Sequence, residues 1–206
     1  ITEGVFSMEG DITPLNEFAN LAKKNNTTTI VDDAHSIGVL GKNGEGTCEH
    51  FNLNQTDIAC LITPLGKALG GVGAIVSGSH EFIETLIQFA RTYAYTTALP
   101  PAISYAELAA LEIINKENWH REKLQKLIKV FIKQAQIRNL PLVSSDPTPI
   151  KSILIGDNKS ALLIQKKMLE KGFFISCIRP PTVPKNASRI RITLNCRHTE
   201  KQIINL

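Results

Sequence analysis

Apolar positions recur along this chain with two different spacings. Over residues 15–24 they gather on one side of a helical wheel, with Leu15, Phe18, Leu21 and Ala22 together, and the spacing predicts an amphipathic helix. Residues 28–33, 58–63 and 74–77 are short β-branched or aliphatic runs, which predict strands covered by helices on both faces. Such runs alternating with helical periods are the pattern of parallel βαβ units, and residues 1–8 read as a further strand and loop. Past Ser79 the helical period takes over, first at 81–91 and then across 102–138 with a soft break at 115–119.

The stretch 139–150 is rich in Pro, Ser and Asp and predicts a boundary. Beyond it, strands at 151–155, 173–178 and 189–194, a helix at 160–171 and a last helix from Thr199 predict a small α+β domain. The expected organisation is α/β: residues 1–140 as part of a larger domain with long connecting helices, then residues 141–206 as the small domain.

Composition narrows the classes. At 43% hydrophobic and 20% charged residues the chain is ordinary globular material, so disorder is not expected. The net charge of +4 is spread along helices without a dense basic run, so no nucleic-acid partner is expected. No apolar run reaches the roughly 18–20 residues of a spanning helix, so no membrane partner is expected and the location read from the sequence is cytoplasmic. Cys48, Cys60, Cys177 and Cys196 form no CxxC pair and have no histidine at zinc spacing; they read as reduced thiols, with no metal site. The opening "ITEGVFSMEGD" lacks an initiating Met and begins inside an apolar run, which reads as a piece of a longer protein.

Two segments carry candidate chemistry. Ligands of open α/β sheets sit beyond the carboxyl ends of the strands, and "VDDAH" places Asp32, Asp33 and His35 where the strand at 28–33 runs out. Taken alone, the two aspartates also suit the start of a turn. The next strand is followed by Lys67 among Gly66, Gly70, Gly71 and Gly73. A desolvated lysine can form a Schiff base, and glycines permit close backbone approach. A phosphate loop is the rival reading, but Lys67 is followed by Ala68, so the spacing is not G-x-x-x-x-G-K-[ST]. An acid at one strand end and a lysine after the next together meet the needs of pyridoxal 5'-phosphate, whose ring nitrogen must stay protonated. On this reading Asp32 pairs with that nitrogen, His35 either stacks on the ring or donates to its phenolic oxygen, and Ser7 stands ready for that same oxygen.

The segments "EGVFSMEGD", "VDDAHSIGVLG", "LGKALGG", "YTTALPP" and "IRPPTVP…RIRITL" resemble the α-oxoamine synthase family of fold-type I, class-II aminotransferase-like pyridoxal phosphate enzymes, from residue 1 to about Leu194. The resemblance implies a homodimer with shared sites. In it Lys67 is catalytic and bonds the cofactor, Asp32 meets the ring nitrogen, and Ser7 and His35 contact the ring oxygen. It also implies that Thr97 reaches the phosphate in the neighbouring subunit, Arg191 holds the amino-acid carboxylate and Thr182 touches substrate. "GDN" at 156–158 and "IRPPTVP" resemble most the member that condenses L-alanine with a pimeloyl thioester, on CoA or acyl carrier protein, for biotin biosynthesis. Sister members, such as the ligase that joins glycine to acetyl-CoA, and a silent dimerisation or cofactor-binding piece are the other readings. The sequence departs from the family where a Ser or Thr is usual three residues before the lysine: Pro64 stands there, and Thr63 is the nearest hydroxyl for the phosphate. The family's glycine-rich loop and ring-stacking histidine fall before Ile1.

Overall fold

Five residues into the chain the backbone leaves one unit for another, and six residues later it returns. The computed structural model describes all of residues 1–206: Ile1–Val5 and Ile12–Asn118 make the first unit, Phe6–Asp11 and Trp119–Leu206 the second. The expected boundary at 140/141 lies inside the second unit, where Leu142 bridges Ile153.

In the first unit, strand β1 (Thr2–Glu3) is shorter than its apolar context predicts, and helix α1 (Leu15–Lys24) has the expected bounds. The face α1 buries is Leu15 and Ala19, one turn apart, whereas Phe18 and Leu21 are 44% and 61% exposed. Leu15 and Ala19 pack with Val31 and Ile58. Burying a leucine is worth about 1.5–3 kcal/mol, against about 0–1 for an exposed ion pair, so this contact, not the surface Lys23–Asp57 bridge, seats the helix.

Strand β2 (Ile30–Asp32), the short helix α2 (Thr47–His50), strand β3 (Cys60–Pro64) and strand β4 (Ala74–Gly78) follow. The sheet order is β1-β2-β3-β4, with β1, β2 and β3 parallel. β4 corrects the sequence reading, because it pairs antiparallel with β3. A parallel crossover takes a dozen or more residues, and the connection 65–73 is too short for one. β4 is also an edge strand, not a covered one, with Ile75 and Val76 42% and 40% exposed. Helices α3 (His80–Phe89), α4 (Arg91–Ala94) and α5 (Pro101–Lys116) complete the unit. Ser79 caps α3 by accepting from Phe82 N–H at 3.2 Å, and α5 opens on a proline, whose missing N–H costs nothing there.

The second unit begins with helix α6 (Trp119–Ile137), which buries Leu124, Leu127, Ile128, Phe131 and Ala135 at helical spacing. Strand β5 (Ile150–Gly156), helix α7 (Asn158–Glu170), strand β6 (Ser176–Ile178), strand β7 (Ser188–Thr193) and helix α8 (Glu200–Asn205) follow. The strands form an antiparallel sheet in the order β5-β7-β6. Side-chain caps fix both later helices: Asp157 accepts from Ser160 N–H at 2.9 Å, and Thr199 with Gln202 forms a capping box. No helix is long and apolar enough to cross a membrane.

Candidate active site

Because β2 and β3 are parallel neighbours, their carboxyl ends leave the same edge of the sheet. Asp32 is the last residue of β2 and pairs with Ile62, and the loop 65–73 bearing Lys67 leaves β3 two residues beyond. Asp32, His35 and Lys67 are thereby brought to one edge of the first unit.

The two aspartates divide their work. Asp33 has no exposed surface; its Oδ1 accepts from Thr47 Oγ1 at 2.6 Å and its Oδ2 from Thr47 N–H at 3.0 Å. Side chains at Gly4 or Gly46 would collide with that carboxylate, so Asp33 is a brace between the strand end and α2. Asp32 accepts only from Ala34 N–H, at 3.0 Å through Oδ1, which leaves Oδ2 without a protein donor. That oxygen is open to a further donor. His35 is half-buried in the turn that follows.

Thr63 does not share this face. Side chains alternate along a strand, and the pairing of Asp32 with Ile62 puts Ile62 and Pro64 on the side of Asp32 and Thr63 on the other. Thr63 is also buried there. Its side chain therefore lies on the opposite face of the sheet from that of Asp32, because a one-residue shift along a strand reverses the face.

Lys67 lies at the tip of its loop and is exposed, in contrast to the desolvated setting the sequence reading favours. The loop is closed by Leu65 N–H to Gly73 O at 2.9 Å and Gly71 N–H to Leu65 O at 3.0 Å. Gly70 and Gly73 have φ of +71° and +94°, which glycine adopts without strain. Thr97 is exposed in the segment before α5. The N-cap of α5 is Pro100 and carries no side-chain cap bond, so Thr97 does not cap that helix.

In the second unit the segment Phe6–Asp11 is held by the sheet. Ser152 Oγ donates to Met8 O at 2.6 Å, and Thr148 Oγ1 donates to Gly10 O. Arg189 is buried, ion-pairs with Glu9 and donates through Nε to Ala187 O at 3.1 Å. Arg191, on the same face of β7, donates through Nε to Ser7 O at 2.8 Å and through Nη1 to Thr193 Oγ1 at 3.1 Å. Its Nη2 is left for an incoming acceptor, and burial draws the guanidinium below its ordinary pKa. The structure thus joins Ser7 and Arg191. Thr182 is exposed, and its N–H closes a turn onto Arg179 O at 3.0 Å.

The four cysteines are free. Burial, followed by the charges of Asp33 and Asp57, pushes Cys48 up to about 11, so its thiol stays protonated and unreactive at neutral pH.

The sequence reading missed Glu107, which reaches the lysine loop from α5. An acid inside the apolar stretch "ISYAELAAL" was the available signal.

A parallel sheet with an acid and a glycine-flanked lysine on adjacent strand ends is an α/β arrangement of the aminotransferase fold class. The family model described as aminotransferase class I and II matches residues 1–206, and the chain belongs to that family. Among its relatives, the 8-amino-7-oxononanoate synthases of Saccharophagus degradans and Pseudomonas putida are 48% and 47% identical over 100% and 98% of this chain. The chain spans about half the length of these relatives, 52% in both cases. The crystal structure of 8-amino-7-oxononanoate synthase from Francisella tularensis superposes with a TM-score of 0.90 at 41% identity, covering 99% of this chain and 59% of that one. A serine palmitoyltransferase variant from S. paucimobilis with bound PLP and myriocin superposes with a TM-score of 0.91 at 28% identity, covering 99% and 51%.

Proposed function

We propose that this chain is part of a pyridoxal phosphate-dependent acyltransferase that condenses L-alanine with a pimeloyl thioester, releasing 8-amino-7-oxononanoate, carbon dioxide and the free thiol carrier. The supporting observation is the adjacency of β2 and β3, which sets Asp32 and the Lys67 loop side by side at one sheet edge. The names of relatives nearly half identical over the whole chain favour the biotin-pathway reaction over that of sister enzymes.

The residues present fit the cofactor. Asp32 has an oxygen without a protein donor, Lys67 is exposed on a glycine-rich loop, and Arg191 keeps Nη2 open. When bound, pyridoxal phosphate supplies an electron sink for the carbon next to the amino group. Asp32 would hold the ring nitrogen protonated by opposite charge. Lys67 would bond the cofactor covalently and, once released by alanine, take the α-proton as general base. Ser7 and His35 would donate to the ring oxygen. Arg191, already oriented by the Ser7 carbonyl and the Thr193 hydroxyl, would grip the alanine carboxylate, and Thr182 would line the substrate side. Thr97 would reach the phosphate of the other subunit in a cytoplasmic homodimer.

The test uses the protein at the full length its gene encodes. Adding pyridoxal phosphate is expected to produce an absorbance band near roughly 420 nm that alanine shifts and that Lys67→Ala abolishes. Alanine with a pimeloyl thioester is expected to turn over, and Lys67→Ala to slow it by on the order of 10²–10⁴-fold or more. Turnover with glycine and acetyl-CoA but not with alanine would replace this reading by that of a sister enzyme.

A further inference from the structure

Helix α5 buries a single residue, and that residue is a glutamate. Glu107 is 7% exposed, while Tyr105, Leu108 and Ile113 of the same helix are 74%, 59% and 47% exposed. Its Oε1 accepts from Val72 N–H at 3.0 Å, and its buried Oε2 has no partner. A carboxylate is a costly group to bury with one hydrogen bond, and an apolar side chain would fill the space more favourably. Packing is therefore an insufficient reason for a glutamate here. What an apolar residue could not provide is the acceptor for Val72.

The carboxylate lies directly against Gly71. A Cβ at that position would stand 1.3 Å from Oε1 and 2.8 Å from Oε2, so glycine is required there for space. Position 71 has an ordinary backbone, unlike Gly70 and Gly73, whose φ values are positive. The loop it grips is otherwise held by few bonds: those of Leu65 and Gly71 at its base, and Gly70 N–H to Lys67 O at 3.0 Å. With four glycines, Gly66, Gly70, Gly71 and Gly73, the loop has much conformational freedom to lose.

We propose that Glu107 is a positioning residue for Lys67. By holding Val72 N–H and lying across Gly71, it fixes the returning limb of the loop and so the place from which the lysine amine is presented beside Asp32. This rests on the reading that Lys67 carries the cofactor.

The experiment compares Glu107→Leu, which removes the acceptor, with Glu107→Gln, which keeps an amide oxygen in its place. Two quantities are followed in the full-length protein: hydrogen exchange of the Val72 amide without cofactor, and the rate at which the Lys67-dependent absorbance develops on adding pyridoxal phosphate. In Glu107→Leu, exchange is expected to quicken and the absorbance to develop more slowly, each by about tenfold, the scale of one lost hydrogen bond to a charged acceptor. Glu107→Gln is expected to restore both. Gly71→Ala, which displaces the carboxylate without altering α5, is expected to match Glu107→Leu. Unchanged exchange in Glu107→Leu or Gly71→Ala, or a Gln variant as impaired as the Leu variant, overturns the proposal. A wild-type band whose rate of appearance is the same in every variant overturns the positioning role alone. A wild type without any Lys67-dependent band overturns the proposed function, and the lysine role of Glu107 with it.

Discussion

The first unit carries an acidic pair, Asp32 and Asp33, and the second an arginine pair, Arg189 and Arg191, and in each the fold gives the two members opposite tasks. Asp33 is fully buried with both oxygens on Thr47, while its neighbour Asp32 keeps an oxygen free. Arg189 is buried against Glu9, while Arg191 keeps one end of its guanidinium open. In both cases the satisfied member braces the chain and the partly satisfied member is available for a ligand. The reach differs. Asp33 and Thr47 are fourteen residues apart, whereas Arg191 takes its orientation from Ser7, 184 residues away. Neither partner is within the few residues over which local spacing acts, and the orientation of Arg191 is borrowed from the other end of the chain.

The comparison breaks most readily at the braces. Asp33→Ala is expected to lower stability by about 3–4 kcal/mol in a denaturant melt, since it strands two buried Thr47 donors. Asp32→Asn is expected to stay within about 1 kcal/mol in the same melt while weakening retention of pyridoxal phosphate. Equal destabilisation by both would erase the distinction. Arg189→Ala is the next largest, at about 2–3 kcal/mol, because Glu9 would lose its buried partner while keeping some access to water.

Arg191→Lys sharpens the second pair. A point-charge ammonium cannot reproduce the fork held by Ser7 and Thr193, so alanine affinity is expected to fall about tenfold with little change in melting. An unchanged KM for alanine would move the carboxylate site elsewhere.

The smallest effect concerns a buried cation that has no charged brace of this kind. Lys151 has no exposed surface and donates to Asp146 O; burial draws its pKa from 10.5 to about 8, with the Asp146 charge acting the other way. Between those values the unfolded chain binds a proton that the folded chain has released, so stability is expected to rise with pH across that window and to be flat for this group below it. Measured as the difference in melting temperature between wild type and Lys151→Gln, the rise is expected to be about 2–4 °C. A difference that falls with pH would mean that the folded chain keeps the proton.

Much of the frame was legible. The bounds of α1, the break between α5 and α6, and the strand ends carrying Asp32 and preceding Lys67 follow from periodicity and punctuation, which act over a few residues. The buried face of α1 did not follow, because Ala19 is chosen by contact with Val31 and Ile58 rather than by hydrophobicity. The face of Thr63 did not follow for a related reason: spacing shows that a hydroxyl is near, but the strand register decides which side of the sheet it meets.

What the sequence by itself determined is the order of elements, the family and the residue types that carry chemistry, since these are written in local spacing. Only the tertiary structure decided that β4 turns back antiparallel, that Asp33 and Arg189 are braces while Asp32 and Arg191 are open, and that Glu107 grips the lysine loop. Those are matters of which donor meets which acceptor across long stretches of chain, and such pairings come into being only when the chain has folded.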